Sequence, residues 1–246
     1  MNLSSPWHRL YILLGFNLLF IGFYFSGIPA LHALIVPTIE GLHPSQHREF
    51  GIMEWTQNLF LLAIVVLSAQ QVFSRTLLVE RILFLVGFLC TLVILLEELD
   101  YGIHFWEFFT GETAKVKVRN WHNQWVDGTE NATRLKSIND AVMLLGFLLL
   151  PLLRFIPAVD RLLGRFLFLP SRSFFFLSLA AVLCSRVAHV LDDQGIGIIT
   201  GDQGSLYQSI GEFRETSVYY IYLMYVLDLV RSSSLFGLSG TQQSSG

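Results

Sequence analysis

The chain has 246 residues, of which 53% are hydrophobic and 14% charged, and its mean hydropathy is +0.55. A water-soluble domain carries about 25% charge, so an apolar excess arranged in long runs points to a bilayer rather than to a soluble core. A net charge of −3 gives no electrostatic case for a nucleic-acid partner. The two cysteines, Cys90 and Cys184, each sit midway along an apolar run, which argues against a disulfide framework, and there is no CxxC metal knuckle.

Taken in order, the chain predicts six spans. Arg9 precedes an apolar stretch longer than the roughly 7–15 residues of a signal-peptide core, so residues 10–27 read as a retained first span. Gly27-Ile28-Pro29 should break it, leaving residues 30–37 as a short apolar piece at the interface. A loop with His43, His47, Arg48 and Glu49 leads to span two, residues 51–71, whose first turns place Glu54, Gln57 and Asn58 on one face. Span three, residues 77–104, follows a tight turn at Ser74-Arg75. The polar segment 105–137 begins with an aromatic cluster and contains Arg119-Asn120-Trp121-His122-Asn123-Gln124-Trp125, whose tryptophans suit an interfacial belt.

Span four, residues 138–153, opens with Asn139 and Asp140. The arginine-bearing loop after it (Arg154, Arg161, Arg165, Arg172) has the makings of a short interfacial helix. Span five, residues 174–191, contains Arg186 and His189 and runs into Asp192-Asp193. The glycine-rich stretch 195–204 matches no phosphate-binding pattern and reads as a connector. Glu212 and Glu215 open span six, residues 216–230. The expected organisation is a single transmembrane domain over residues 1–231, an all-α bundle of six helices, with a disordered Ser/Gly/Gln-rich tail at 232–246.

Six spans put both termini on one side. That side holds only Glu80, Asp160 and Asp228 among the acids and only His8 among the histidines; the opposite end takes all the rest. Lysine and arginine divide almost evenly, but the terminus-side cations sit in short loops, where the positive-inside rule has force. This predicts cytoplasmic termini and an integral protein of the bacterial inner membrane.

The partition gathers ionisable groups from five spans at one membrane level. For each acid alone, a helix end meeting water is the better explanation. The set suggests more, because the other ends of the same helices are marked by arginine and serine. Arg186, about two turns inside its helix, should pair with Glu97, Glu98 or Asp140. At helical spacing Glu97, Asp100 and His104 share a face, as do His189 with Asp192 and Asp193, and Glu212 with Glu215. Carboxylate oxygens and imidazole nitrogens delivered from rigid helices suit a divalent metal such as zinc, iron or manganese. The ligands would be Glu97, Asp100, His104 and Asp193, with Glu98, His189 and Glu212 as catalytic groups. Glu54, Asp140, Arg186, His122 and Glu215 would support them. Without a metal, one desolvated carboxylate could act as a general base. Neither HExxH nor a nucleophile-elbow serine is present.

At Glu97-Glu98-Leu99-Asp100-Tyr101-Gly102 the chain resembles a group of bacterial polytopic membrane proteins of uncharacterised activity. Those carry Glu-Glu-Ile-Ser-Trp-Gly-Gln at a helix end and an Asn-Leu-His-Asn segment soon after. Here the second element is Asn120-Trp121-His122-Asn123, and Glu212-x-x-Glu215 is similar to their late acidic helix. Asp100, Tyr101 and Ile103 depart from the pattern. The resemblance implies a bacterial inner-membrane protein. The general idea of polar helix ends around zinc is shared with ceramidase-like membrane metallohydrolases, whose paired histidines on the last span are missing here.

The residues thus predict a membrane-embedded hydrolase or transferase acting on a lipid or lipid-linked substrate at the non-cytoplasmic face. An ion- or proton-coupled transporter and a non-catalytic membrane partner are the alternatives. Oligomeric state is not legible in the sequence.

Overall fold

The computed structural model describes residues 5–40, 44–112, 125–126, 129–164, 166–197 and 210–236. Almost all of it is helical. The one strand pairing among the described residues is a two-residue ladder, Trp125–Val126 against Thr129–Glu130.

Helix α1 (Pro6–Tyr24) starts with proline at its first helical position, where no N–H is missed. Gly27, at φ +68°, ends the excursion, and Pro29 opens α2 (Pro29–Ile35). A 3-10 turn, Pro44–Phe50, precedes α3 (Ile52–Ser74). Gly51 joins the two at a close approach: a Cβ there would lie 1.8 Å from the Ile35 carbonyl oxygen, so no side chain fits. Helices α3 and α4 (Leu78–Glu98) form a hairpin.

Span three was expected to run unbroken to residue 104, but α4 stops at Glu98. Asp100, Tyr101 and Gly102 follow in left-handed conformation, at φ 46°, 53° and 85°. Glycine adopts this readily, aspartate with little penalty and tyrosine rarely. The chain then turns into α5 (Ile103–Thr110), which Gly111 closes at φ +68°. Glu97, Asp100 and His104 therefore do not share a helical face.

Helix α6 (Asn131–Val142) passes through a π-helical stretch, Met143–Leu149, into α7 (Leu150–Leu153). A 118° bend then leads to α8 (Pro157–Leu163), the short helix expected in the arginine loop. Helices α9 (Ser173–Asp193) and α10 (Glu212–Arg231) complete the set.

Helices α3, α4 and α9 are long and apolar enough to cross a membrane, and the bent stretch 137–163 makes a fourth if counted as one span. Helix α4 is the least buried of the three. Leu78, Val79, Ile82, Val86, Leu89 and Val93 all stand exposed on it, as a lipid-facing helix requires. Helices α1 and α10 are less uniformly apolar because their polar groups have partners inside the bundle.

Helix α10 packs against α1, α3 and α9, and its side chains bond to nearly every neighbour. Ser217 donates to Asn17 on α1 (3.1 Å), and Tyr220 to the Arg9 carbonyl (3.0 Å). Tyr219 reaches Glu98 on α4 (2.6 Å), and Tyr222 reaches Asn139 on α6 (2.6 Å). Between these bonds lies an apolar core of Leu13, Phe147, Phe174, Leu177, Ile221 and Met224.

The two ends of the bundle differ. At the terminus end the charges are matched. Arg9 forms a two-point ion pair with Asp228, and Arg75 pairs with Glu80 (3.5 Å) while donating to the Leu229 carbonyl (2.7 Å). The Glu80 carboxylate also accepts from the Leu235 N–H (2.7 Å). Asp160 is shared by Arg154 (3.0 Å) and Arg172 (2.8 Å). Among the described residues, carboxylates outnumber cations at the opposite end.

Candidate functional site

The 3-10 turn before α3 brings Arg48 and Glu49 to the first turn of that helix, where Glu54 is buried. Helix α10 begins directly across from it. The Arg48 guanidinium lies 3.4 Å from Glu212, 3.3 Å from Glu49 and 4.0 Å from Glu54. One turn further into α3, the fully buried Gln57 donates from Nε2 to Glu212 Oε2 (3.2 Å), the Glu212 carbonyl (3.3 Å) and Thr216 Oγ1 (3.0 Å). The Thr216 hydroxyl donates in turn to the Glu212 carbonyl (2.8 Å). One turn beyond Thr216, the Tyr219 phenol donates to Glu98 at the end of α4.

Three elements thus converge through Glu49 and Glu54, Glu98, and Glu212. Burial drives the Glu49 carboxyl up to about 8; Arg48 opposes this, while Glu212, Glu98 and Asp100 reinforce it. Burial alone would lower the Arg48 guanidinium, but Glu212, Glu49 and Glu54 together hold it above its ordinary value. A carboxyl poised near neutrality can take up and release a proton at physiological pH, which a surface glutamate cannot do.

The expected site residues separate into groups. Glu54, Glu98 and Glu212 belong to this cluster, with Asp100 electrostatically close. Glu97 accepts a hydrogen bond from Tyr101 at the mouth of the left-handed turn. His104 is buried between the rings of Phe105 (4.2 Å) and Phe50 (5.6 Å). His189 lies beside Asp192 and Asp193 at the end of α9, forming a second group whose neighbours are one another rather than Glu212. Glu215 stands half-buried on α10 near Tyr219.

Arg186 is exposed on α9, and the pairing expected for it is not made. Asp140 is held by Arg214 instead (2.9 Å), and Glu98 by Tyr219. The helix rotation that buries Ser178, Ser185 and Ala188 turns Arg186 outward. His122 lies outside the described residues. Among the described residues, no three His, Cys, Asp or Glu side chains gather as a metal-holding group.

Arg48 and Glu49 stood in the sequence only as loop charges and Tyr219 not at all, so none of the three was expected in the site. A signal for Tyr219 existed: Glu212, Thr216 and Tyr219 at i, i+4 and i+7 make one polar stripe along the helix. Arg48 and Glu49 had no such periodic signature, because a 3-10 turn and Gly51 place them.

No protein-family model matches the chain, and no curated protein or solved structure matches it.

Proposed function

We propose that the chain is a membrane-embedded enzyme, a hydrolase or transferase acting on a lipid or lipid-linked substrate, with Glu49 as its general base. The protein would be a six-span bundle in the bacterial inner membrane. In that arrangement α1, α3, α4, the α6–α7 stretch, α9 and α10 cross, both termini are cytoplasmic, and the Arg48 cluster lies at the non-cytoplasmic face. The observation that carries this reading is a glutamate poised near pH 8 beside Glu54, Glu98 and Glu212, at the end of a bundle whose flank is apolar.

In such a site Glu49 takes a proton from water or an acceptor hydroxyl as the oxygen attacks an ester carbonyl or phosphoryl centre; the bond from that centre to the leaving oxygen breaks, and the proton held by Glu49 passes to the departing alkoxide. Arg48, at the centre of the carboxylates, keeps Glu54 and Glu212 from repelling one another and limits how far Glu49 is raised. Tyr219 and Gln57 fix Glu98 and Glu212 in orientation. The terminus end is closed by matched ion pairs, with apolar core between the two ends. This supports a site served from one face over a through-path for a carrier. A divalent ion (zinc, iron or manganese) is the other form of the proposal, and elemental analysis of chelator-free protein tests it.

The decisive experiment reconstitutes the purified protein in nanodiscs made from bacterial inner-membrane lipids and follows lipid products by mass spectrometry. New products are expected from the wild-type chain and at least about a hundredfold fewer from Glu49→Gln, the usual scale of general-base loss. Absence of turnover across all lipid classes, or an equally active Glu49→Gln, would overturn the assignment.

A further inference from the structure

We propose that the Arg48 cluster binds a primary ammonium group, so that the ligand is an amine-bearing lipid headgroup or a small free amine. The substrate-class part of this inference rests on the enzymatic reading above; the binding site itself does not.

Two independent observations carry it. The first is a shortage of cations. Among the described residues, Glu49, Glu54 and Glu212 share one guanidinium, that of Arg48, whereas each terminus-end carboxylate has an arginine of its own or two. Burial and this shortage together keep the Glu49 proton on to about pH 8, and a second cation beside it would let that proton go. The second is an unpartnered acceptor. Gln57 is fully buried, and its Nε2 is committed to Glu212 and Thr216, but its Oε1 has no hydrogen-bond partner among the described residues. Reversing the amide would set that oxygen against the Glu212 carboxylate, so the orientation is fixed by the network. A buried acceptor without a donor is costly, and a bound ligand with N–H groups relieves that cost.

The missing partner must therefore bring positive charge and N–H or O–H donors together. A hydroxyl brings one donor and no charge. A quaternary ammonium brings charge and no donor. A primary ammonium brings both, with three donors that can be divided between an amide oxygen and carboxylates. A bare divalent ion would need several ligands drawn closely around it, and no such metal-holding group is present among the described residues.

Access fits a headgroup arriving from the rim. The Arg48 and Glu49 side chains are 30% and 15% exposed, while those of Glu212 and Glu54 fall to 10% and 3%. The neighbouring α4 presents its apolar flank outward, so the site borders the lipid acyl region.

The test uses the full-length protein. In the first arm it is equilibrated in nanodiscs of phosphatidylethanolamine, phosphatidylcholine and phosphatidylglycerol in equal amounts, and retained lipids are counted by native mass spectrometry. In the second, delipidated protein in detergent is titrated with ethylammonium or tetramethylammonium, and the thermal midpoint is recorded. We expect phosphatidylethanolamine enriched about tenfold over phosphatidylcholine, the size of one charge-assisted hydrogen bond. Gln57→Met and Glu212→Gln should each reduce that enrichment several-fold, with Gln57→Met keeping the unbranched shape in case one variant folds poorly.

Enrichment of the amine lipid with no response to ethylammonium assigns the group to a headgroup. A response to ethylammonium alone assigns it to a free amine. Equal retention of the three lipids together with equal shifts from the two ammonium ions overturns the inference. Binding without turnover would sink the enzymatic reading and leave the ammonium site standing. Turnover without amine preference would do the reverse.

Discussion

Glu49 is surrounded by Arg48 on its own turn, Glu54 on α3, Glu98 and Asp100 at the end of α4, and Glu212 on α10. Its carboxyl moves from an ordinary 4.5 to about 8, which has two consequences of opposite sign. As a base it works only when ionised, so the rate of lipid turnover should climb as pH rises through about 8, and a rate–pH profile checks this. In folding, the native state retains a proton that the unfolded chain has already released. The contribution of Glu49 to stability is therefore undiminished below about pH 4.5 and declines progressively towards pH 8. Thermal midpoints measured across that window should fall for the wild type and fall less for Glu49→Gln.

At this scale the sequence was half legible. Glu54, Glu98 and Glu212 were recognisable because acids at the ends of apolar helices stand out. Arg48 and Glu49 looked like ordinary loop charges, since nothing local encodes the docking that buries them. Arg186 looked buried from its depth along α9, but depth along an axis does not say which way a helix is rotated. The neighbouring serines and alanines, small enough to pack against other helices, were the better guide to its inner face.

Among the elements, hydropathy placed the long apolar helices to within a few residues, because a bilayer allows few alternatives to a helix, but α5 lies largely in the stretch read as a polar segment and α6 begins at Asn131, before the span expected there. It missed where α4 ends. The apolar run continues into Leu99, but backbone geometry stops the helix before the left-handed Asp100-Tyr101-Gly102. Glycine was informative where two backbones meet. A Cβ at Gly51 would strike the Ile35 carbonyl at 1.8 Å, whereas one at Gly87, in the middle of α4, meets nothing within 4 Å. Gly51→Ala should therefore lower stability by about 1–3 kcal/mol as α2 and the Arg48 turn are pushed apart. Gly87→Ala should be neutral or stabilising by up to about 1 kcal/mol through helix propensity. Thermal unfolding in detergent distinguishes them, and equal midpoints for the two variants would contradict the close approach.

For the molecule as a whole, the separation of charge between the two ends was visible in the sequence, and its pairing was not. The Arg9–Asp228 contact ties the start of α1 to the end of α10. Arg9 is buried and Asp228 about one-third exposed. Asp228→Ala should cost about 2–3 kcal/mol, below the 3–5 of a fully enclosed pair because water still reaches the carboxylate. Asp228→Asn should recover part of the loss, read as the midpoint of unfolding in mild detergent.

The position of α10 has a bearing on how the protein is made. Asn17, Gln57, Arg75 and Glu98 leave the ribosome earlier, yet each is bonded to α10 in the finished structure. Until that segment is synthesised, these bonds cannot form, although Asn17 can still donate to the Leu13 carbonyl and Arg75 can still reach Gln71 and Glu80. Helices α1, α3 and α4 can form during translation, but their final docking must wait for the arrival of the helix they all hold in common.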